Sequence, residues 1–428
     1  MPPSSVYVRA MLSGARVTFL RSLASCELRR AIHVSARVGL PGDDVYIVSA
    51  TRTPVGKFNG ALKSLTAPQL GISAVTAAVE RAGIDKSEVS EVYLGQVLQA
   101  SVGQSPARQV VVGAGFPVST DATTINKVCS SGLKAIMLAT QNIQTGNADV
   151  MVAGGMESMS NVPYYLPRNQ LYGHFQAVDG IVKDGLWDVY GNIHMGNCAE
   201  KTAKNYGFTR EDQDNYAKES YRRAIYAQEN DLFAEEIVPI EIASRGKTIV
   251  VAEDEEPKSV NLDKLPTLRA VFDKQGTVTA GNASPINDGA SAVVLASKSR
   301  FEKYNYNAPL ARIVSYADAA RDPIDFTIAP SLSVPLALKR AGLEVKDIAK
   351  FELNEAFAAV ALANMQIMGL DPEKVNVKGG AVALGHPIGS SGSRILVTLI
   401  YNLNPGEFGV AGICNGGGGS SAVVIERL

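Results

Sequence analysis

Apolar positions along this chain fall into short strand-like runs that alternate with longer helical stretches. Val45-Tyr46-Ile47-Val48-Ser49-Ala50 reads as a strand. Thr123-Thr124-Ile125 is another β-rich run, and it leads through small residues into a stretch from Leu133 to Ile143 with helical spacing. The pattern then repeats itself. Glu80-Arg81-Ala82-Gly83 and the residues through Gly95 align without gaps on Lys339-Arg340-Ala341-Gly342 and the residues through Asn354, at an offset of 259. In each copy a helix is expected to end at Ala-Gly, where glycine supplies a left-handed cap. A polar link and a strand follow. Cys129-Ser130-Ser131-Gly132 faces Gly389-Ser390-Ser391-Gly392 at 260, and Val152-Ala153-Gly154 faces Val410-Ala411-Gly412 at 258. Three matches in one order at nearly one offset predict two copies of an α/β unit. The alternation within each predicts strands sandwiched between helices.

The stretch between the copies breaks this rhythm. From Glu200 to Lys274, 28 of 75 residues are charged, against 19% for the whole chain. Residues 163–285 are therefore read as a solvent-facing excursion from the doubled core, of the kind that covers or builds a site. Thr209-Arg210-Glu211-Asp212 predicts a capping box opening a helix, and Asp254-Glu255-Glu256-Pro257 an exposed turn. The expected division is residues 41–162 and 286–310 for the N-terminal half, 163–285 for the loop domain and 311–428 for the C-terminal half.

Residues 1–40 stand apart. Residues 1–42 contain Arg9, Arg16, Arg21, Arg29, Arg30 and Arg37, with Glu27 as the sole acid, and serines are scattered among them. This reads as a mitochondrial transit peptide. The remaining chain begins at about Asp43. A net charge of −1 gives no reason to expect nucleic acid. No apolar run is long enough for a membrane span. Four cysteines, with no CxxC spacing, are too sparse for a disulfide framework and are expected as thiols.

Four places carry candidate chemistry. Cys129 sits in Asn126-Lys127-Val128-Cys129 at a strand-to-helix junction, where backbone N–H groups and the helix dipole favour a thiolate nucleophile. His386, in Gly385-His386-Pro387-Ile388-Gly389, sits at the matching junction of the second copy and can take a thiol proton. Cys414 heads Cys414-Asn415-Gly416-Gly417-Gly418-Gly419, whose N–H groups suit an oxyanion. Asn354, in Asn354-Glu355-Ala356-Phe357, ends a strand and can hold a water or a substrate oxygen. Each has a structural alternative: a packed thiol, a turn histidine, a hairpin, an ordinary helix cap.

These blocks, in this order, together with Val152-Ala153-Gly154-Gly155-Met156-Glu157-Ser158-Met159-Ser160, resemble the thiolase family from Val45 to the C-terminus. The resemblance implies a thiolase fold, with duplicated βαβαβαββ units in a five-layer αβαβα sandwich and an inserted loop domain. It implies reversible condensation of two acetyl-CoA to acetoacetyl-CoA plus CoA, by ping-pong transfer through Cys129. His386 would activate that thiol, and Cys414 would move the α-proton of the second substrate. Asn354 would hold a water beside the enolate, and the N–H of Gly416 would join that of Cys129 in an oxyanion hole. Coenzyme A would be met by Tyr221, Ser259, Val260, Asn261, Lys264 and Ser284, with Leu186, His194 and Phe357 around its pantetheine. Potassium would be held by Tyr221, Ala280, Gly281, Ala283 and Val382, and the assembly would be a homotetramer.

The chain departs from the mitochondrial members at Ser259, where they often carry Arg, and at Thr327, where they commonly carry Pro. The second change bears on acceptance of a 2-methyl branch. Ile193-His194-Met195-Gly196 resembles the short-chain pattern. A longer-chain 3-ketoacyl-CoA thiolase and a non-catalytic lipid- or CoA-binding protein of the same fold are the competing readings.

Overall fold

A computed structural model describes residues 42–168, 172–244, 246–304 and 306–428. The leader expected over residues 1–40 lies outside them. The first unit runs β1 (Val45–Arg52), α1 (Ala67–Ala82), β2 (Glu91–Gly95), α2 (Pro106–Gly113), β3 (Asp121–Ile125), α3 (Ser131–Gln144) and β4 (Val150–Ser158). An excursion carrying α4 (Met195–Tyr206) and α5 (Arg210–Glu229) intervenes before the unit closes with β5 (Asn287–Ser297). The second runs β6 (Ala311–Ala320), α6 (Pro330–Ala341), β7 (Ile348–Leu353), α7 (Ala358–Met368), α8 (Ile388–Ile400), β8 (Phe408–Asn415) and β9 (Gly419–Arg427).

These strands lie in the order β7-β8-β9-β6-β1-β5-β4-β2-β3, within a ten-stranded sheet whose tenth member is Gly56–Lys57 against β5. The order β1-β5-β4-β2-β3 is answered by β6-β9-β8-β7. The β2–β3, β2–β4 and β7–β8 pairs are parallel, and the β1–β5, β4–β5, β6–β9 and β8–β9 pairs are antiparallel. The counterpart of β3 shrinks to one parallel bridge between Phe351 and Val375. A short antiparallel pairing of Val45–Ile47 with Ala311–Ile313 joins the halves.

The helices complete five layers. α1 and α2 cover one face of the first half-sheet, α6 covers the far face of the second, and α3 and α8 pack together between them. All thirteen residues of α8 are buried, the polar Ser390, Ser391, Ser393, Arg394 and Thr398 included, because both its sides meet protein. The duplicated sandwich expected from the repeat is thus present. Local signals hold as well. Gly83 and Gly342 end α1 and α6 at φ 68° and 69°, and Thr209 and Asp212 form the capping box of α5.

Two expectations fail. Asp254–Glu256 is not an exposed turn. Asp254 is buried, with its carboxylate 2.7 and 3.0 Å from the Arg52 guanidinium. Glu255 accepts from the backbone of Lys57 and Ala61, and Glu256 from Asn287. Each acid folds inward because a donor awaits it there. Nor is the His386 loop a strand-to-helix junction. A helical turn, Ala381–Leu384, precedes it, and Gly385 turns the chain at φ 106°.

Arg52 binds the excursion to β1. Its guanidinium is fully buried between Asp254 and Glu236, both from the excursion. Removing it leaves two carboxylates buried without their cation. Arg52→Met is expected to lower unfolding free energy in urea by about 3–5 kcal/mol. A loss under about 1 kcal/mol would show that the pair contributes little.

Candidate active site

Cys129 is carried on a strained link between β3 and α3. Val128 stands at φ +48°, which a β-branched residue adopts only when its surroundings compel it. The surroundings are hydroxyls. Ser131 Oγ accepts from the Lys127 N–H at 2.8 Å and donates to the Val128 carbonyl at 2.6 Å. Ser130 Oγ donates to Asn415 Oδ1 at 2.8 Å, which clamps the link to the end of β8. That clamp sets Cys414 and the following glycines beside Cys129. The N–H of Gly416 and that of Cys129 itself both reach the Cys129 sulfur.

Burial, however, reverses the electrostatic expectation. It pushes the Cys129 thiol up to about 12, outweighing those two N–H groups, and nearby Glu157 adds to the rise. Cys414 is also raised well above the usual thiol range, first by burial and then by Cys129. Both sulfurs therefore rest as thiols. The helix start does not compensate for a site this dry.

His386 faces the same constraint with the opposite sign. Burial, aided by Arg394, lowers its pKa to about 3, so the imidazole is neutral. Its Nδ1 is 2.6 Å from Ser391 Oγ, which is also 2.9 Å from the Pro387 carbonyl. The Ser391 hydroxyl has one proton and two acceptors within reach. When it donates to Pro387, Nδ1–H donates to Ser391 and Nε2 keeps a lone pair. When it turns to Nδ1, Nε2 carries the hydrogen. Nε2 is buried and has no partner among the described residues. Both side-chain atoms of Asn354 are in the same condition. Unpaired buried polar atoms are costly, and they gather here where a reacting oxygen or sulfur would complete them.

A cavity of about 650 Å³ opens on these groups. Cys129 and His386 line it, with Met195, Phe326, Ala356 and Ile388. Of the residues expected at coenzyme A, Leu186, His194, Ser284 and Phe357 are on its wall. Tyr221 is not; it is buried on α5, in one apolar cluster with Val382. Ser259, Asn261 and Lys264 lie exposed on two turns outside the lining, and Val260 packs half-buried between them. Of the expected cation ligands, Ala280 and Ala283 line the cavity. Gly281 is adjacent in sequence, and Val382 shares the Tyr221 cluster. The Tyr221 phenol is raised by burial and by Glu256 and Glu355, so it is a neutral oxygen in a negative field. That environment fits a hard monovalent cation. Thr327 has its hydroxyl 2.5 Å from that of Thr202 and accepts from Asn364 through its carbonyl, fixing Phe326 on the cavity wall.

Three residues at the site went unassigned in the sequence. Glu157 accepts from the N–H groups of Val97, Leu98 and Gly389. Glu355 accepts from Tyr216, Ser220, Asn376 and the Val382 N–H. Ser391 supports His386. All three lie within the quoted motif blocks or the internal repeat, which was the available signal.

Two family models match the chain, the thiolase N-terminal domain over residues 45–299 and the thiolase C-terminal domain over residues 307–427. An acetyl-CoA acetyltransferase of Yarrowia lipolytica is 62% identical over 383 residues, covering 90% of this chain and 96% of that protein. A mitochondrial acetyl-CoA acetyltransferase of Rattus norvegicus is 57% identical over 389 residues, covering 90% and 92%. Among solved structures, a thiolase from Ascaris suum in complex with coenzyme A superposes with a TM-score of 0.87 at 48% identity, covering 90% of this chain and all of that one. The Bacillus anthracis acetyl-CoA acetyltransferase gives 0.86 at 40%, covering 91% and all.

The resting thiol makes a kinetic prediction. Alkylation of Cys129 by iodoacetamide should rise about tenfold per pH unit from pH 7 to 10, because the reactive thiolate is a small fraction growing towards a distant pKa. A plateau below pH 8 would instead reveal a preformed thiolate.

Proposed function

The chain belongs to the thiolase family, and on that premise we propose that it is an acetyl-CoA C-acetyltransferase that joins two acetyl-CoA into acetoacetyl-CoA and cleaves the product in reverse. The observation that carries the reading is the common cavity wall of Cys129 and His386, with Cys414 close enough for Cys129 to add to the cost of charging it.

The first half-reaction is acetyl transfer. Cys129 Sγ attacks the thioester carbonyl while His386 Nε2 takes its proton. The N–H groups of Cys129 and Gly416 receive the oxyanion. The imidazolium, unstable in a dry site, returns its proton to the departing CoA sulfur. The second half-reaction is carbon–carbon bond formation. Cys414, having first released its thiol proton to solvent, removes the α-proton of the second acetyl-CoA as the thiolate, and the Cys129 sulfur expelled at the end of the step takes a proton back from solvent. Asn354, through a water, and His386, now with hydrogen on Nε2, stabilise the enolate oxygen. The enolate carbon attacks the acetyl group and expels the Cys129 sulfur. The two Nε2 states asked of His386 are those its Ser391 contact permits. In thiolysis the steps run backwards, and Cys414 as a thiol is ready to give its proton.

Coenzyme A is the carrier in this reading. Its pantetheine runs along Leu186, His194, Ser284 and Phe357, and its nucleotide lies over Ser259, Val260, Asn261 and Lys264, while the buried Tyr221 is left to the cation. Potassium would be held by Tyr221 with the carbonyls of Ala280, Gly281, Ala283 and Val382, and would supply positive charge to order the loops that carry them. Residence in the mitochondrial matrix fits the Arg-rich leader and the names of several relatives. A homotetramer fits the exposed apolar side chains Tyr164, Leu166, Tyr172, Phe175 and Val178 of the excursion.

The enzyme should cleave acetoacetyl-CoA with free CoA, faster with potassium than without. Cys129→Ala should fall to background, and turnover persisting in that variant would sink the mechanism. Cys414→Ala should still take one acetyl group from acetyl-CoA, seen as a mass increase, yet lose condensation by about 100-fold or more. Full condensation in this variant would remove Cys414 from the proton transfer.

A further inference from the structure

Asp318 lies near the end of β6, in the C-terminal half, and does not line the active-site cavity. Its carboxylate is divided between two lysines of the N-terminal half. Oδ1 is 2.5 Å from Lys127 Nζ, and Oδ2 is 2.7 Å from Lys134 Nζ. Ser421, directly across on β9, donates to Oδ1 at 2.7 Å. Lys127 Nζ also donates to Ser421 Oγ at 2.8 Å and to the Ser420 carbonyl at 3.1 Å.

The two lysines bracket the nucleophile. Lys127 stands just before Val128 and Cys129, and Lys134 lies in the first turn of α3. One carboxylate from the opposite half thus grips both flanks of the turn that holds Val128 at φ +48°. The hydroxyls of Ser130 and Ser131 shape that turn from within and tie it to β8. Asp318 alone closes it from the side of β6. Burial would raise the Asp318 carboxyl, but the donors of Lys127, Lys134 and Ser421 outweigh it and hold it below the usual carboxylate range. The group is therefore ionised at neutral pH. Burial lowers Lys127, and the like charge of Lys134 adds to that, while Asp318 opposes both. Without the carboxylate, two ammonium groups of like charge would face each other and push the flanks of the turn apart.

We propose that Asp318 is a positioning residue for the nucleophile: by gripping Lys127 and Lys134 together it holds Val128 in the left-handed conformation that aligns the Cys129 sulfur and N–H with the acyl carbonyl. It touches no substrate and acts through the two lysines. The inference rests on the acetyl-transfer reading and adds to it the residue that keeps the strained turn closed.

The test is thiolysis of acetoacetyl-CoA by the full chain and its variants. Asp318→Ala should lower kcat by about 10- to 100-fold, the cost of a misaligned reacting group, with KM for free CoA unchanged within about twofold. Asp318→Asn, which keeps one acceptor, should fall between. Val128→Gly separates alignment from lost packing, because glycine takes a positive φ without strain. Added to Asp318→Ala, it should recover most of kcat. A crystal structure of Asp318→Ala should show Val128 at negative φ. Wild-type kcat in folded Asp318→Ala overturns the proposal, and so does a fall that Val128→Gly does not relieve. Val128 still near φ +48° in the variant crystal overturns it whatever the substrate. Should Asp318→Ala not fold, Ser421→Ala carries the same test with a smaller fall. Failure of the wild type to cleave acetoacetyl-CoA would overturn the acetyl-transfer reading instead, and the Val128 conformation would still decide the role of Asp318.

Discussion

The active site depends on one buried carboxylate. Glu157, at the end of β4, accepts at 2.9 and 3.2 Å from the N–H groups of Val97 and Leu98, and at 3.0 Å from that of Gly389 in the first turn of α8. The first two belong to the N-terminal half and the third to the C-terminal half. Burial raises the Glu157 pKa to about 7, while those three donors pull it down. The contact that lets this happen is backbone on backbone. A Cβ on Gly155 would come within 2.1 Å of the Gly389 carbonyl, so α8 can lie on β4 only because Gly155 has no side chain. His386 is three residues before Gly389, and Cys129 is two residues before α3, which packs on α8. Their meeting is a consequence of that close approach.

The dryness that this packing creates explains the chemistry better than any single residue does. Two thiols raised by burial and a histidine lowered by it form a reacting trio that carries no charge at rest. Charge appears only as a bond forms, and fixed donors await it: two backbone N–H groups at Cys129 and the unpartnered atoms of Asn354 and His386. Such donors need no reorganisation at the moment of reaction. The cost is that all of them must be held by other residues. Glu355, with its four hydrogen bonds, anchors the Asn354 loop to α5 of the excursion. The excursion is in turn tied to β1 through Arg52.

Much of this was legible in the sequence, and the reason is locality. A glycine cap, a capping box or an amphipathic run is decided within a few residues, so α1, α3, α5 and α6 could be read directly. The internal repeat extended that reach, because copies of one unit must share one strand order. Asp254 and Glu256 were misread for the converse reason. A run of acids beside proline looks solvated until Arg52, some two hundred residues earlier, is known to lie beneath it. Glu157, Glu355 and Ser391 were likewise invisible as partners, although each stands in a quoted block or repeat. The donors to Glu157 and Glu355 come from other elements, whereas Ser391 meets His386 within one tight turn that the sequence did not reveal. The Cys129 pKa went astray because a helix start can be seen in sequence and desolvation cannot.

Duplication also explains why the two halves do different work at equivalent places. α3 and α8 begin side by side in the central layer, each preceded by a short polar link. The first link follows a full strand, β3, and its strained turn leaves one side chain, Cys129, at the helix start. In the second half the matching strand is reduced to the Phe351–Val375 bridge. The chain thus released forms the Ala381–Leu384 turn and reverses at Gly385, which puts His386 two residues ahead of its helix. A position opposite Cys129 is then filled by Gly389, whose lack of a side chain makes the central contact possible. One copy kept the strand and supplies the nucleophile. The other lost it and supplies the base, and neither loop could have done both.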